Sequence, residues 1–361
     1  MSPDFSVIIP VYDRPDEIGE LLESMALQTY AEPFEIVIVE DGSEIPCEQV
    51  IVDFLRRHTN SDHRFTITYL TKRNSGPGSS RNYGMARAKG DYFIILDSDC
   101  MLPPQYLEKV AKSLQEDFVH CYGGPDAAHE SFSLVQKAIN YAMTAVLTTG
   151  GIRGSKRVAT KNNDRTKNSV TYKGFQPRSF NMGLSKTVFE ITGGFGNIHP
   201  GEDPDLTFRI WEKGYVTKLI PEAFVYHKRR IDWRKFFVQV KKFGMVRPIL
   251  TRRFPKTAKM TYWFPTFFCL GFLLALILYA VGIAMPLLLY GFYFALIFID
   301  SLLKNRSLAI GLLSLAAVAV QFLGYGYGFL TSTLFINFSE KKPETIFPQL
   351  FFKITDTDAP A

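Results

Sequence analysis

Two long apolar stretches near the C-terminal end constrain this chain more than any other feature. Trp263 to Ile299 contains 37 residues without a single Asp, Glu, Lys, Arg or His, and Ser307 to Phe338 contains another 32. About 20 apolar residues already span the hydrocarbon core of a bilayer. A purely soluble protein and a disordered one are both excluded. As one helix the first stretch would run ~55 Å at 1.5 Å per residue, far beyond a ~30 Å core. It is therefore expected to break near Gly282 to Pro286 into two spans, with Ser307 opening a third. Three spans would leave the tail with Lys341 and Lys342 outside, against the positive-inside rule, so a re-entrant last span is the alternative. The Met1 end shows neither a basic n-region nor a long apolar h-region, so no cleaved signal peptide is expected.

Charge is distributed to match. Between Lys228 and Lys259 lie twelve Lys or Arg against one acid, Asp232, in a chain whose net charge is only +6. A basic block beside apolar spans reads as contact with anionic lipid headgroups on the cytoplasmic side. Its place against the membrane argues against the competing reading, nucleic-acid binding. Trp233, Phe236, Phe237, Val240 and Phe243 fall between the charges, as in a helix lying in the interface. The loop holding Lys304 and Arg306 is expected on the same side. Cys47, Cys100, Cys121 and Cys269 form no C-x-x-C pair and suggest no disulfide framework. The bulk of the chain then belongs to a reducing cytoplasm.

The first 228 residues read as an α/β domain. Short continuous apolar runs (Phe5 to Ile9, Glu35 to Val39, Asp91 to Leu96) alternate with helical spacing over 16–28, 48–58 and 79–88, and a further strand is expected at 65–70. Such runs mark a mostly parallel sheet covered on both faces. Ligands of these sheets bind beyond the carboxyl ends of the strands, where this sequence places Pro10-Val11-Tyr12, Glu40-Asp41-Gly42 and Asp97-Ser98-Asp99. Gly150 to Gln176 is rich in Gly, Ser, Asn and Lys and reads as a loop of the lid or acceptor-binding kind, with a plain surface excursion as the alternative.

Four motifs carry chemistry. Asp97-Ser98-Asp99 at a strand end can hold a hard cation against a diphosphate, although D-x-D alone is common on surface loops. Gly201-Glu202-Asp203 opens a helix and offers a general base, or merely complements the helix dipole. His227 is a metal ligand or a structural histidine. Arg81-Asn82-Tyr83-Gly84 follows the Gly-rich Asn74 to Gly78, which suits phosphate. Arg81 stands where the third Gly of a dinucleotide fingerprint belongs, and the P-loop Lys is missing, so NAD and ATP-hydrolysis readings lose support.

Taken in order, these pieces resemble family 2 glycosyltransferases, inverting enzymes of the GT-A fold. The matching segments are Ser6 to Tyr12, Val39 to Ser43, Ser80 to Gly84, Gly90 to Asp99, Gly193-Gly194-Phe195, Gly201-Glu202-Asp203 and His227-Lys228. The resemblance implies a Rossmann-like, mostly parallel catalytic sheet over 1–228. A basic linker (229–261), transmembrane helices (262–338) and a tail (339–361) would follow. It further implies that Asp41 recognises the nucleotide base in a pocket lined by Pro10 and Tyr12. Arg81 would contact base or diphosphate, and Asp97 would face the ribose and sugar. Asp99 would bind Mn²⁺ or Mg²⁺ with His227 as a further ligand, and Asp203, supported by Glu202, would be the catalytic base. Glu40 departs from the family, which often has a second Asp there. The processive relatives' Q-x-x-R-W is also missing: Gln239-Val240-Lys241-Lys242-Phe243 lacks its Arg and Trp, which favours single transfer.

The expected function is transfer of a sugar from a nucleotide-sugar, UDP favoured, to a hydroxyl of a membrane-held acceptor such as a lipid-linked saccharide or glycolipid. The catalytic domain would face the cytoplasm, at a bacterial inner membrane. Transfer to a polyprenyl phosphate is the alternative. A non-catalytic nucleotide-sugar scaffold ranks lower, because D-x-D, Glu-Asp and His are all present.

Overall fold

The computed structural model describes residues 4–58, 64–127, 132–149, 174–227 and 232–352. Most of the Gly150 to Gln176 loop lies outside these residues. The chain divides into two compact units. One comprises the described residues of Met1–His129, Lys156–Lys228 and Phe351–Ala361, the other those of Glu130–Ser155 and Arg229–Leu350.

The first unit is built on a seven-stranded sheet. Its strands are β1 (Phe5–Val11), β2 (Phe34–Asp41), β3 (Phe65–Lys72), β4 (Tyr92–Leu96), β6 (Cys121–Gly123), β8 (Asn181–Ser185) and β9 (Thr217–Leu219), in the order β3-β2-β1-β4-β8-β6-β9. The first four are mutually parallel, β8 runs antiparallel to both β4 and β6, and β9 is parallel to β6. A three-stranded sheet joins β5 (Cys100–Met101), β10 (Val225–His227) and β7 (Asp126–Ala127). Strands β1, β2 and β4 are buried on both faces, which is why they read as unbroken apolar runs. Helices α1 (Pro15–Ala26), α2 (Glu48–Arg57), α3 (Pro77–Met85), α4 (Tyr106–Glu116), α7 (Lys186–Thr192) and α8 (Glu202–Glu212) complete this unit. Pro at the first turn of α1 and α3 suits positions whose N–H needs no intrahelical partner. Gly84 of α3 abuts Ile8 and Val39 so closely that any larger side chain would separate helix from sheet.

The second unit holds α5 (Leu134–Thr144) and α6 (Val146–Thr149), then α9 (Trp233–Arg253), α10 (Phe264–Ala280), α11 (Met285–Asn305), α12 (Leu308–Phe338) and the short α13 (Pro343–Ile346). Asp232 caps α9 by accepting from the Lys235 N–H at 2.8 Å. Three helical stretches, Met260–Ala280, Met285–Asn305 and Leu308–Phe338, are long and apolar enough to cross a membrane. The basic α9 packs lengthwise on α12 through glycines. A Cβ on Gly244 would lie 2.2 Å from the Tyr325 carbonyl, and one on Gly328 would lie 2.2 Å from that of Lys241. Small residues let the two backbones meet this closely.

Candidate active site

Strands β1, β2 and β4 all end on one edge of the sheet, and the polar groups gathered there follow from that topology. Asp41, the last residue of β2, accepts from the backbone N–H of Ser75 (3.0 Å) and of Gly76 (2.9 Å) and from Lys72 Nζ (3.0 Å). It thereby fixes the turn that launches α3. Gly76 needs a left-handed φ of 91° to make that turn. Pro10 lies in β1, and Tyr12 just beyond it is 50% exposed beside this edge. Glu40 is engaged elsewhere: it accepts from Ser43, from the Cys47 N–H (2.7 Å) and from Tyr69 Oη (3.1 Å). The acid that departs from the family pattern thus holds the loop after β2.

Arg81 is the hub of the site. It projects from α3, is buried, and donates to Asp97 Oδ1 at 2.7 Å, with Glu202 Oε1 3.5 Å away. Its guanidinium also lies over the Phe195 ring at 5.2 Å. Asn82, next in α3, pins the Phe195 loop by bonding both its N–H (2.8 Å) and its carbonyl (2.9 Å). Arg81 therefore joins the end of β4 to the start of α8.

Asp99 faces the other way, toward β10. His227 Nε2 stands 3.0 Å from its Oδ1, and Arg14 Nη1 stands 2.6 Å from its Oδ2. Burial pushes the Asp99 carboxyl up, but His227 and Arg14 outweigh it and bring it down to about 2. The group is an anion throughout the physiological range. Asp99, His227 and Cys100 bring their ligand atoms within 4.8 Å of one another. A carboxylate oxygen and an imidazole nitrogen 3.0 Å apart match two adjacent ligands of an octahedral ion with bonds of about 2.1 Å. Oxygen and nitrogen donors fit Mn²⁺ or Mg²⁺. The Cys100 thiol, raised well above its usual range by burial and the nearby acids, donates to the Phe180 carbonyl at 3.4 Å and is no ready ligand.

Glu202 and Asp203 occupy the first turn of α8, where the N-terminal dipole favours negative charge. The two behave oppositely. Burial raises Glu202, yet His199 (Nδ1 2.9 Å away) and Arg81 bring it down to about 2. Asp203 is raised to about 6, first by burial and then by the adjacent Glu202 charge, against the pull of Arg81. Two neighbouring acids with separated pKa values are the arrangement from which acid–base roles arise.

Of the residues singled out from sequence, Arg81, Asp97 and Glu202 form one connected group, and Asp99 and His227 form a second. Asp41 is tied to α3 through Gly76. Three contributors were not anticipated: Arg14, His199 and Lys72. Arg14 had a visible signal, a cation directly after a strand-end Tyr12-Asp13 and before a helix-opening Pro15.

The sequence profile of Glycosyl transferase family 2 matches residues 6–191, and that of Glycosyl transferase family group 2 matches 162–303. An uncharacterized glycosyltransferase of Haemophilus influenzae is 30% identical over 164 residues, 43% of this chain and 52% of that protein. Glycosyltransferase GlyA of Streptococcus pneumoniae is 33% identical over 111 residues, 31% of this chain and 15% of that protein. The aligned part thus spans about half the length of the first relative and far less of the second. Among solved structures, the mannosyltransferase PcManGT of Pyrobaculum calidifontis, determined with GDP-Man and Mn²⁺, has a TM-score of 0.57. Its identity is 16%, over 90% of this chain and 88% of that one. That likeness is one of fold, a GT-A catalytic sheet followed by helices. With a family profile covering half its length, this chain belongs to glycosyl transferase family 2.

Proposed function

We propose that the protein transfers a sugar from a nucleotide-sugar to a hydroxyl of a membrane-held acceptor, with inversion at the anomeric carbon. The observation that carries this reading is Asp203, a carboxylate in the first turn of α8 beside Glu202 and Arg81, raised to about 6. A base with that pKa is largely ionised at neutral pH and still takes a proton readily.

In this reading Asp41, Pro10 and Tyr12 hold the nucleotide base, with UDP favoured. Asp97 orients the ribose and sugar through its bond to Arg81, and Arg81 keeps the acids of the site from repelling one another. Asp99 and His227 would hold Mn²⁺ or Mg²⁺, which when bound supplies positive charge for the leaving diphosphate. Asp203 removes the proton from the acceptor hydroxyl as its oxygen attacks the face opposite the leaving group. The new C–O bond forms as the old one breaks, and the electron pair leaves with the diphosphate. Glu202, held ionised by His199 and Arg81, keeps Asp203 basic. The two sequence relatives named above are bacterial, and the basic α9 beside the apolar helices fits a cytoplasmic face of the inner membrane. Membrane lipids are then its surroundings, and nucleic acid has no part. A polyprenyl phosphate acceptor would need no base, so the placement of Asp203 favours a hydroxyl.

The test is transfer by the full chain in detergent. It is given UDP-, GDP- and dTDP-sugars with a bacterial lipid extract, and nucleoside diphosphate release is measured. Extract-dependent release from one donor class, lost in Asp203→Asn, is expected. Release independent of Asp203 would count against this mechanism.

A further inference from the structure

Helix α12 has the length and composition of a membrane span, yet the helices it touches change along its length. Near its start, Ser314 Oγ pairs with Ser301 Oγ at 2.7 Å and Gly311 abuts the Phe298 ring, both near the C-terminal end of α11. Midway, Phe322 packs on Phe264 and Phe268, and the Gly326 carbonyl accepts from Thr266 Oγ1 at 3.1 Å. These residues lie in the first turns of α10. Further on, α12 follows α9: Ser332 Oγ donates to the Met245 carbonyl at 2.7 Å, and Arg252 Nη1 to that of Ile336 at 2.9 Å.

The start of α10 and the end of α11 are the same end of one antiparallel hairpin, because only residues 281–284 join the two helices. Phe322 also meets the Tyr293 ring (6.4 Å between centres) midway along α11, so α12 lies across the open half of that hairpin. The closed end stands clear, with Ile277, Val281, Met285 and Leu288 all more than 60% exposed. In its most apolar window α12 is 39% buried, against 11% for the other two helices. Its remaining face exposes Leu312, Leu323, Tyr327 and Leu334 with no charged residue along it. At 31 residues it would be about 46 Å long, half as long again as a ~30 Å core requires.

A separate observation fixes where the chain goes next. Phe351 bridges to Ile198, and the Phe352 N–H donates to the Asn197 carbonyl at 2.9 Å. The Phe352 ring packs on His199 (5.8 Å between ring centres) and fills the space beside Gly76. Asn197, Ile198, His199 and Gly76 all belong to the catalytic unit, as do Phe351 and Phe352. The chain leaves that unit after Lys228 and rejoins it at Phe351, so the helices between must cross the membrane an even number of times.

We propose that only the α10–α11 hairpin enters the hydrocarbon core. Helix α12 lies in the plane of the membrane surface with its exposed apolar face against lipid, and the chain after it stays on the catalytic side. In-plane helices seat such a face at the boundary between headgroups and acyl chains. The sequence favours three crossings with a re-entrant last span as the alternative; an in-plane α12 is neither.

Two measurements on the full chain test it without reference to activity. Cysteines are introduced singly at Arg56→Cys, exposed on α2, and Gln349→Cys, just before the returning segment, with Cys269→Ala in both. Labelling with a membrane-impermeant maleimide is then compared in spheroplasts and in inverted membrane vesicles. Both positions are expected to label in the same preparation, whichever it is; reciprocal labelling would overturn the proposal. Nitroxides at Leu312→Cys, Leu323→Cys and Leu334→Cys are expected to report one common depth by oxygen and nickel-chelate accessibility. A crossing helix would instead place 323 deepest and the outer two shallow, and that profile would overturn it.

Discussion

Replacing Asp203 by Asn should remove catalysis and strengthen the fold, and both effects follow from the same buried charge. The folded-state carboxyl titrates near 6, against 3.8 ordinarily. Between about pH 4 and 6 the native protein therefore holds a proton that the unfolded chain has released. The penalty for ionising Asp203 is absent below pH 4, grows through that window, and is complete above pH 6. Two units correspond to about 3 kcal/mol at 1.36 kcal/mol per unit. That figure is an upper bound, because Asp203 retains a partial opening to solvent. Asn is nearly isosteric and carries no charge. At pH 8 the variant should melt several degrees higher, given ~2–4 °C per kcal/mol for a domain of this size. At pH 4 the difference should vanish. Transfer should fall by about 10²–10⁴-fold, the usual contribution of a positioned base, while nucleotide affinity stays largely intact. The assay is thermal denaturation from pH 4 to 8 beside transfer kinetics. A variant that melts lower at pH 8, or keeps transfer within a few-fold, would refute the reasoning.

Three further outcomes are expected. Arg81→Ala leaves Asp97 and Glu202 facing each other without their shared cation; loss of one partner from a buried pair costs about 3–5 kcal/mol, measurable as a large drop in melting temperature, and nucleotide binding should go with it. Asp99→Asn and His227→Ala should each weaken Mn²⁺ binding at least tenfold when free Mn²⁺ is followed by electron paramagnetic resonance, and chelation should abolish wild-type transfer until Mn²⁺ is restored. Gly76→Ala places a Cβ at a φ of 91° and 2.4 Å from the Phe352 ring. It should lower stability by more than 1 kcal/mol and weaken nucleotide binding through the Gly76 contact with Asp41, as calorimetry would show.

The catalytic sheet was legible because its strands are short, apolar and closed by polar residues, a pattern that only a sheet covered on both faces produces. Asp97, Asp99 and Asp203 stand out as candidates for a related reason: carboxylates at strand and helix ends are conspicuous against apolar neighbours. What the sequence hid depends on long-range contact. The strand-end position marks Arg14 as a site residue, but nothing in Asp13-Arg14-Pro15 names its partner, Asp99, 85 residues away. Nor does the local sequence separate Glu202 from Asp203; their opposite shifts arise because burial and the adjacent Glu202 charge raise Asp203, whereas His199 and Arg81 outweigh burial at Glu202. Glu40 looked like a ligand group, yet it is consumed by Ser43, Cys47 and Tyr69. The apolar stretches gave helix count and length correctly, but composition cannot tell a helix that crosses lipid from one that lies on it. That distinction rests on α9, α10 and α11 all meeting one side of α12.

The most direct test of the central claim is the thermal stability of the detergent-held full chain with UDP, GDP, dTDP and CMP, each with and without Mn²⁺. A ligand bound only by the folded state raises the melting temperature. The account predicts a metal-dependent rise with one nucleoside diphosphate, lost in Asp99→Asn and retained in Asp203→Asn. No rise with any nucleotide, or a rise indifferent to Asp99, would contradict it.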